Sequence, residues 1–256
     1  MFELTGVDVA FGAVRALDGV DFRIDKGEVV ALLGDNGAGK STLLSVMAGA
    51  RTPTAGSIAV AGHRFDFRGP RDASAAGVHI VYQDLALVPA ADVATNIMLG
   101  REPRRRGPLR WLGVLDKKEM RRAARRQLDA LHVSTVRSMT HPVELLSGGQ
   151  RQAVALARAA VRLAVDEARV LLLDEPTAAL GYQQSQQVER FIERVAGSGV
   201  GVVLVTHDLP LCFQVADRIV VLNRGRKVAD VDKRATDRDS VVGWITGARP
   251  PQEGLS

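Results

Sequence analysis

A chain of 256 residues can form one large domain, or a core domain that carries an inserted subdomain. Its composition, 46% hydrophobic and 25% charged, is ordinary for a globular protein and allows a substantial core. No apolar run approaches the roughly 18 to 20 residues that a membrane-spanning helix needs. The single cysteine, Cys212, excludes an internal disulfide and fits a reducing cytosol, and no signal peptide is expected at the N-terminus.

The formal net charge of +5 is concentrated in two segments, 101–110 and 117–126. Localised positive charge of this kind suits contact with nucleic acid, with anionic headgroups or with an acidic protein surface. A solvated basic face is the remaining alternative, and composition leaves all of these open.

The first 33 residues are predicted to be rich in β-strands. An alternating apolar pattern runs from Leu4 to Phe11 and continues from Val14 to Ile24, with turns predicted at Gly12 and Gly19. An aromatic ring at the end of the first strand could stack on adenine, which makes Phe11 a candidate binding residue. A phenylalanine of the core is the alternative.

A glycine-rich segment follows the apolar run Val29–Leu33, which is predicted to be a buried strand, and precedes a predicted helix from Leu43. Its nine residues fit the G-x-x-x-x-G-K-[ST] phosphate loop: Gly34, Asp35, Asn36, Gly37, Ala38, Gly39, Lys40, Ser41 and Thr42. Glycines let backbone N–H groups converge on phosphate oxygens, and the helix N-terminus adds a positive dipole end. Lys40 would then contact the β- and γ-phosphates, and the Ser41 hydroxyl would ligate Mg²⁺.

After this helix the pattern predicts a short strand over 57–61 and a short helix over 70–76 with Pro70 in its first turn. A further strand, 77–82, delivers Gln83 at its carboxyl end. Ligands of open parallel sheets gather at that edge, which makes Gln83 a candidate site residue.

Between residues 87 and 148 helical patterns replace strands. Helices are predicted over 94–99 and 117–131, and in the second one apolar residues at helical spacing oppose a face of arginines. We therefore expect a helical insertion in an α/β core.

The core is predicted to resume at Leu146-Ser147-Gly148-Gly149-Gln150, followed by a helix over 151–164. Ser147 is a plausible N-cap, and Gly148 and Gly149 leave the first N–H groups of the helix uncovered. This predicts a second anion-binding helix terminus, with an ordinary capped helix as the alternative.

Two predicted strands carry polar residues at their carboxyl ends. The apolar strand from Arg169 ends in Asp174 and Glu175, one of which could hold a metal while the other handles water. The strand 200–205 ends before His207, which would emerge at the same sheet edge as Gln83 and Asp174. Ion pairing and a purely structural histidine are the alternatives.

The remaining pattern predicts a helix over 183–196 with an apolar stripe, strands over 218–222 and 227–231, and a helix around 240–245. The tail, 248–256, is expected to be mobile. No internal repeat is found.

Together these motifs resemble the ATP-binding cassette of ABC transporters, over essentially residues 2–247. The resemblance implies an α/β fold: a P-loop NTPase (RecA-like) core with an N-terminal antiparallel β subdomain and an inserted α-helical subdomain. The core and β subdomain would occupy about 1–86 and 149–247, and the helical subdomain about 87–148.

The implied chemistry is hydrolysis of Mg·ATP by in-line attack of water on the γ-phosphate. Phe11 would stack on adenine, the phosphate loop would hold the phosphates, and the signature Leu146–Gln150 would bind nucleotide of a second cassette. Ser41, Gln83 and Asp174 are the implied metal ligands. The catalytic residues implied are Lys40, Gln83, Glu175 and His207.

The resemblance also implies partners. Two cassettes pair head-to-tail around two ATP molecules, so a second cassette is needed, most simply another copy of this chain. A separate integral-membrane permease and an extracytoplasmic sugar-binding protein would complete an importer at the cytoplasmic face of the membrane, with Asp84–Met98 as the docking segment. No nucleic acid is expected as a partner.

Several segments are similar to the single-cassette members of the monosaccharide-importer branch, of ribose or fructose type. These are the phosphate loop, Leu99–Glu102, Leu115–Met120 and Pro176–Gly181. One departure stands out: the family usually has Ala-Leu-Asp after the Glu-Pro-Thr segment, whereas this chain has Gly181. An exporter or an amino-acid importer is the alternative, and a cytosolic ABC protein acting on nucleic acid or ribosomes is a more remote one.

Overall fold

The structure, a computed structural model, describes residues 1–105, 113–165, 167–178 and 181–252. It divides into two compact units. The first comprises Met1–Ile80, Ala168–Pro176 and Ile192–Ser256, and the second comprises Val81–Glu167 and Thr177–Phe191. The predicted helical segment 87–148 falls within the second unit, which also contains 81–86, 149–167 and 177–191, ranges that were expected to belong to the core.

An antiparallel sheet of the first unit has the strand order β2-β1-β4-β5. Its strands are β1 (Phe2–Phe11), β2 (Val14–Ile24), β4 (Ala55–Val60) and β5 (His63–Phe65). The alternating residues of β1 and β2 put one apolar face into the core, as their pattern predicted.

The turn expected at Gly19 is wrong, because Gly19 lies inside β2. The register between β1 and β2 shifts near Val7 and Val9, and the Gly19 N–H donates to Asp8 Oδ1 at 2.8 Å. Gly19 has φ +60°, so the glycine absorbs an irregularity of the ladder while pairing continues on both sides. The turn at Gly12 does join the two strands.

A second sheet of six strands has the order β10-β9-β3-β8-β7-β6, with β3, β7, β8 and β9 parallel and β10 antiparallel to β9. Its strands are β3 (Val29–Leu33), β6 (Val78–Val81), β7 (Val170–Asp174), β8 (Gly201–Val205), β9 (Arg218–Asn223) and β10 (Arg226–Asp232). β3 and β8 are buried at every position, as expected for strands covered on both faces.

The helices of the first unit are α1 (Lys40–Met47), α2 (Pro70–Ala75), α7 (Leu209–Val215) and α8 (Arg238–Thr246). Helix α7 was not predicted from the sequence. Its start is marked by Asp208, whose Oδ1 accepts from Leu211 N at 3.0 Å, and by a proline in the first turn. Cys212 is buried in this helix, and burial raises the pKa of its thiol to about 12, so the group is an inert core residue.

The second unit is helical: α3 (Val93–Met98), α4 (Lys117–Ala130), α5 (Gly148–Val165) and the first ten residues of α6 (Tyr182–Gly197). Asp92 and Asp116 cap α3 and α4 by accepting from the backbone N–H three residues on. Asn96 is fully buried and bonds both the N–H and the carbonyl of Val88, at 2.8 and 3.0 Å. The loop that precedes α3 is therefore fixed to that helix.

The tail is tied to the first unit as far as the structure describes it. Arg249 N donates to Gly243 O at 3.0 Å, Gln252 N donates to Val228 O at 2.8 Å, and the Trp244 ring nitrogen donates to Pro250 O at 3.1 Å. This differs from the mobile tail expected at 248–256, of which 253–256 lie outside the described residues. A C-terminal segment without periodicity carries no sequence signal for such backbone contacts.

Arg218 is the hub of an ion-pair network at the start of β9. Its Nε lies 2.7 Å from Glu28, its Nη1 2.5 Å from Asp230, and its Nη2 donates to Arg23 O at 2.6 Å. Burial works to raise the pKa of Asp230, but hydrogen bonds and charges of Arg218 and Lys227 outweigh it and hold that pKa below the usual value.

We expect Arg218→Ala to lower the free energy of unfolding by about 2 to 3 kcal/mol, because two mostly buried carboxylates lose their partner. Urea unfolding followed by circular dichroism measures the change. The contribution of Asp230 is present above the ordinary aspartate pKa of about 3.9 and is lost as pH falls through the lowered pKa of the folded state. The difference in free energy of unfolding between the wild type and the variant should therefore become smaller at acidic pH.

The matched control is Arg226→Ala, which removes a largely exposed arginine that pairs with Asp18. Its unfolding midpoint should barely move, since exposed ion pairs are screened by water. Equal losses for the two variants would contradict a structural role of the Arg218 network.

Candidate functional site

The phosphate loop lies between β3 and α1, as predicted, although the helix begins at Lys40 rather than at Leu43. Gly39 is the N-cap of α1 in a left-handed conformation, and a Cβ there would lie 2.8 Å from Ala16 O. A Cβ at Gly34 would lie 2.4 Å from Leu222 O. Only glycine fits these two positions, so neighbouring backbone determines the path of the loop.

Lys40 reaches back over the loop that precedes it. Its Nζ donates to Gly34 O at 2.7 Å and to Asp35 O at 3.0 Å, and the residue is 8% exposed. Burial lowers the pKa of this ammonium, while the charges of Glu175, Asp35 and Asp174 oppose that change. A poorly hydrated cation is suited to receive a polyanion, and the charges of the nearby carboxylates favour the protonated form of this lysine.

The two carboxylates predicted at the end of β7 are both present there. Asp174 is the last residue of the strand, and Glu175 N donates to Val205 O of the neighbouring β8 at 2.9 Å. Glu175 has φ +46°, a conformation that costs a non-glycine residue about 1 kcal/mol or more and that concentrates at functional sites.

His207 contacts Glu175 through its backbone and its ring. The His207 N–H donates to Glu175 Oε2 at 3.3 Å. The ring Nε2 lies 3.1 Å from Glu175 Oε1, at ion-pair distance but outside hydrogen-bond geometry. The side chain of Glu175 is 15% exposed and that of His207 is 56% exposed. The acid is therefore mostly buried, whereas the imidazole ring next to it is open to solvent.

Desolvation dominates the electrostatics of both acids. Burial raises the pKa of Asp174, against the charge of Lys40. Burial also raises the pKa of Glu175, opposed by His207 and Lys40 and reinforced by Asp174. Because burial disfavours the charged forms of both carboxylates, either a nearby divalent cation or the uptake of a proton would stabilise them.

The residues present fit Mg²⁺ bound together with a nucleotide. No group of three or more acidic, histidine or cysteine side chains that could hold a metal occurs in the described ranges. Mg²⁺ in phosphate sites uses one or two carboxylates and completes its shell with phosphate oxygens and water. Asp174, partly desolvated, and the hydroxyl of Ser41 at the start of α1 supply that kind of incomplete shell.

Phe11, at the end of β1, is not a core residue. It is 45% exposed, and the guanidinium of Arg51 lies over its ring, 4.1 Å from the centroid. The alternative of a core phenylalanine is therefore wrong. Nothing in the sequence pattern pointed to Arg51, which contacts Phe11 across forty positions of the chain.

Gln83 and the Ser147–Gln150 segment belong to the second unit. Gln83 is exposed, and just after it Arg158 of α5 donates to the carbonyls of Leu85 and of Ala86, the latter at 2.7 Å. These two carbonyl contacts hold a turn whose residues have positive φ. Arg158 is a positioning residue that sequence reasoning missed.

The N-cap predicted at Ser147 is present and is reciprocal. Ser147 Oγ accepts from Gln150 N at 3.3 Å, and Gln150 Oε1 accepts from Ser147 N at 2.9 Å, which is a capping box. Gln150 Nε2 also donates to Thr135 O at 2.8 Å. The helix accordingly starts at Gly148, three residues earlier than predicted.

Residues 17–178, more than half of the chain, match the ABC transporter family. The chain belongs to the ABC transporter family.

Sequence relatives of this ABC protein cover nearly all of it. It is 42% identical to a fructose import ATP-binding protein of Rhizobium meliloti, over 98% of this chain and 96% of the relative. It is 41% identical to a xylose/arabinose import ATP-binding protein of Sulfolobus acidocaldarius, over 96% and 94%. A ribose import ATP-binding protein of Rubrobacter xylanophilus is 41% identical over the whole chain, which spans 47% of that relative.

Solved structures confirm the expected α/β ABC ATPase fold. A dimeric ATP-binding cassette in a post-hydrolysis state bound to ADP and Pi superposes with a TM-score of 0.75 at 26% identity, over 91% of this chain and 99% of that one. A nucleotide-free cassette from an ABC transporter gives a TM-score of 0.76 at 21% identity, over 96% and 95%. The prediction of an ABC-type ATPase is thus confirmed. In the described part of this ABC protein no helix combines the length and apolarity needed to cross a membrane.

One contact of this ABC protein concerns the position where it departs from the family pattern. Gln184, in the first turn of α6, packs against both Gly149 and Gly181. A Cβ built on Gly149 would lie 2.6 Å from Gln184 Cγ, and one on Gly181 would lie 2.9 Å from Gln184 Oε1. The two glycines therefore let this side chain sit against the signature segment.

We expect Gly149→Ala to destabilise the protein by about 1 to 3 kcal/mol, because the new Cβ would overlap with Cγ of Gln184. Thermal unfolding by circular dichroism measures the loss. Adding Gln184→Ala should restore most of it, since the shorter side chain removes the clash.

Gly148→Ala is the matched control, because a Cβ there meets nothing within 4 Å. Its unfolding midpoint should stay close to that of the wild type. If Gly149→Ala is equally harmless, the packing of Gln184 against the signature segment is not as described.

Proposed function

We propose that this chain is the ATP-hydrolysing subunit of an ABC importer for a monosaccharide. The observation that carries the proposal is the joint placement of Lys40, Asp174, Glu175 and His207 at the carboxyl edge of the parallel sheet, beside the phosphate loop. The sugar is supported by the relatives, since the near full-length ones are named for import of fructose and of xylose or arabinose.

The phosphates of ATP would lie on the loop Gly34–Thr42. The first backbone N–H groups of α1 lack carbonyl partners within the helix and would donate to them. Lys40 would exchange its carbonyl partners for phosphate oxygens. Ser41 and Asp174 would hold Mg²⁺, which when bound supplies positive charge at the β- and γ-phosphate oxygens. Phe11 would stack on the adenine.

Glu175 would act as the general base. Burial raises its pKa towards the range in which a carboxylate accepts a proton from water readily. The His207 N–H holds Oε2 of Glu175, which fixes the orientation of the carboxylate and therefore also the position of Oε1. His207, exposed above the acid, would contact the γ-phosphate and stabilise its developing charge.

The proposed assembly has two cassettes and a permease. A head-to-tail pair, most simply a homodimer, would bring Ser147–Gln150 of one copy to the nucleotide on the other. A solved relative of this fold is a dimer bound to ADP and Pi, which supports pairing. Asp84–Met98, held by Arg158 and Asn96, would receive the permease at the cytoplasmic face, and an extracytoplasmic sugar-binding protein would deliver the substrate.

We expect Glu175→Gln to bind Mg·ATP but to hydrolyse it about 10² to 10⁴ times more slowly, because the general base is removed. Phosphate release measures the rate, and size-exclusion chromatography with Mg·ATP should show accumulated dimer. In the wild type the rate should fall as pH drops through the raised pKa of Glu175, and this acid limb should be absent from the residual activity of the variant.

Glu193→Gln, an exposed carboxylate on α6, makes the same change of charge and should keep the wild-type rate and pH profile. Near wild-type turnover by Glu175→Gln would remove Glu175 as the base.

The substrate class is tested by uptake. A strain that lacks this gene should lose accumulation of one labelled monosaccharide from a panel of pentoses and hexoses, and the wild-type gene should restore it while the Glu175→Gln gene should not. If sugar uptake is unchanged and amino-acid uptake is lost, the chain belongs to an amino-acid importer instead. If the strain accumulates a compound that the wild type expels, the chain belongs to an exporter.

A further inference from the structure

Six exposed cations gather at the start of α4, in the second unit. This basic patch consists of Arg104, Arg105, Lys117, Lys118, Arg121 and Arg122. It accounts for much of the excess positive charge of the chain, and none of the roles proposed above uses it.

Backbone hydrogen bonds assemble the patch. Arg105 N donates to Val114 O at 2.9 Å and Asp116 N donates to Pro103 O at 2.8 Å, so 103–105 and 114–116 run side by side. The pairing ends where Asp116 caps α4, so Arg104 and Arg105 lie opposite Leu115 and Val114 on the segment that leads into the helix. The patch is therefore built by the fold and is not a chance run of sequence.

The four cations of the helix share one face. Lys117 and Lys118 are each followed four residues later by an arginine, Arg121 and Arg122, and side chains at this spacing are neighbours. Like charges at this spacing repel and destabilise an isolated helix. Their repulsion would be relieved by bound anions.

Nothing in the described ranges neutralises these charges by an ion pair. The two carboxylates of α4 have other partners: Glu119 pairs with Arg126 at 2.7 Å, and Asp129 lies 3.9 Å from Arg125. Glu102, before the helix, accepts from Gly100 N at 2.9 Å. Arg125, by contrast, donates to the carbonyls of Val136 and Arg137 and so has a structural role. Unlike Arg125 and Arg126, the six patch residues are exposed without a side-chain hydrogen bond or ion pair to another described residue.

Two apolar side chains lie within the patch. Val114 and Leu115 are 37% and 40% exposed, on the segment that pairs with 103–105. Exposed aliphatic groups next to cations suit the boundary between water and lipid, where headgroups bind the charge and the upper acyl region accepts the apolar groups. A nucleic acid would use the cations but not the aliphatic pair.

We propose that the basic patch binds anionic phospholipid headgroups, with Val114 and Leu115 entering the headgroup region. The inference rests on the proposed function, because an ATPase docked on a permease works beside a bilayer. It adds a direct contact between this chain and lipid, independent of the permease.

The test is co-sedimentation of the full-length protein with vesicles of phosphatidylcholine alone or mixed equally with phosphatidylglycerol. We expect binding to the anionic vesicles that weakens with salt and is absent with phosphatidylcholine alone. Lys118→Glu with Arg122→Glu should weaken it by about tenfold or more, at roughly one factor of five per cation near the surface. Lys118→Gln with Arg122→Gln should weaken it less, and Val114→Ser with Leu115→Ser should weaken it without changing the charge.

Arg64→Glu with Arg71→Glu is the matched control, since both residues are exposed and lie in the first unit. This variant has the same net charge as the reversed patch and should bind anionic vesicles as the wild type does. Circular dichroism and Mg·ATP hydrolysis, measured on every variant, separate loss of lipid binding from loss of the fold or of the proposed ATPase.

Wild-type protein that ignores anionic vesicles, or patch and control variants that bind them equally, would overturn the inference. Patch-dependent binding of a single-stranded RNA oligonucleotide without binding of vesicles would overturn it in favour of a nucleic-acid surface. Patch-dependent vesicle binding by a protein without ATPase activity would sustain the lipid contact and count against the proposed function alone.

Discussion

The buried ammonium of Lys40 is the group on which the rest of the site depends. A cation removed from water must be compensated locally, and here two loop carbonyls and three carboxylates do so. The carbonyls belong to the loop that glycine alone can form, because backbone occupies the space where a Cβ would be at Gly34 and Gly39. The charge and the backbone path therefore constrain each other: replacing a glycine would displace the carbonyls that hold the lysine.

The parallel sheet explains why the acids are where Lys40 needs them. β7 and β8 pair in register with Asp174 opposite Val205, so Glu175 and His207 leave adjacent strands at the same edge. Glu175 then adopts a left-handed conformation, which ties its N–H to β8 and turns its side chain to the histidine. The strain at this residue is consistent with a position held by both neighbouring strands. Its raised pKa follows from the same burial that lowers the pKa of Lys40.

Local patterns were sufficient to predict much of this. The phosphate loop, the buried strands, the stripe of Val188 and Phe191 on α6 and the cap at Ser147 each depend on neighbours in the sequence, and each is found in the structure. Features that depend on distant residues could not be predicted. Arg51 over Phe11, Arg158 on the carbonyls after Gln83, and Gln252 on Val228 join segments that no periodicity relates. Gly19 was misjudged because a glycine in a strand and a glycine in a turn look alike without the partner strand.

In the signature segment the side chains and the backbone N–H groups have different roles. Ser147 and Gln150 use their side chains on each other's backbone, and Gln150 also bonds Thr135, so both are occupied in holding the start of α5. Gly149 has to be small because Gln184 packs against it. The N–H groups of Gly148 and Gly149, the first two of the helix, have no carbonyl partner within the helix. The side chains thus hold the motif in place, and under the proposed function the backbone donors at this helix N-terminus would be left to bind phosphate.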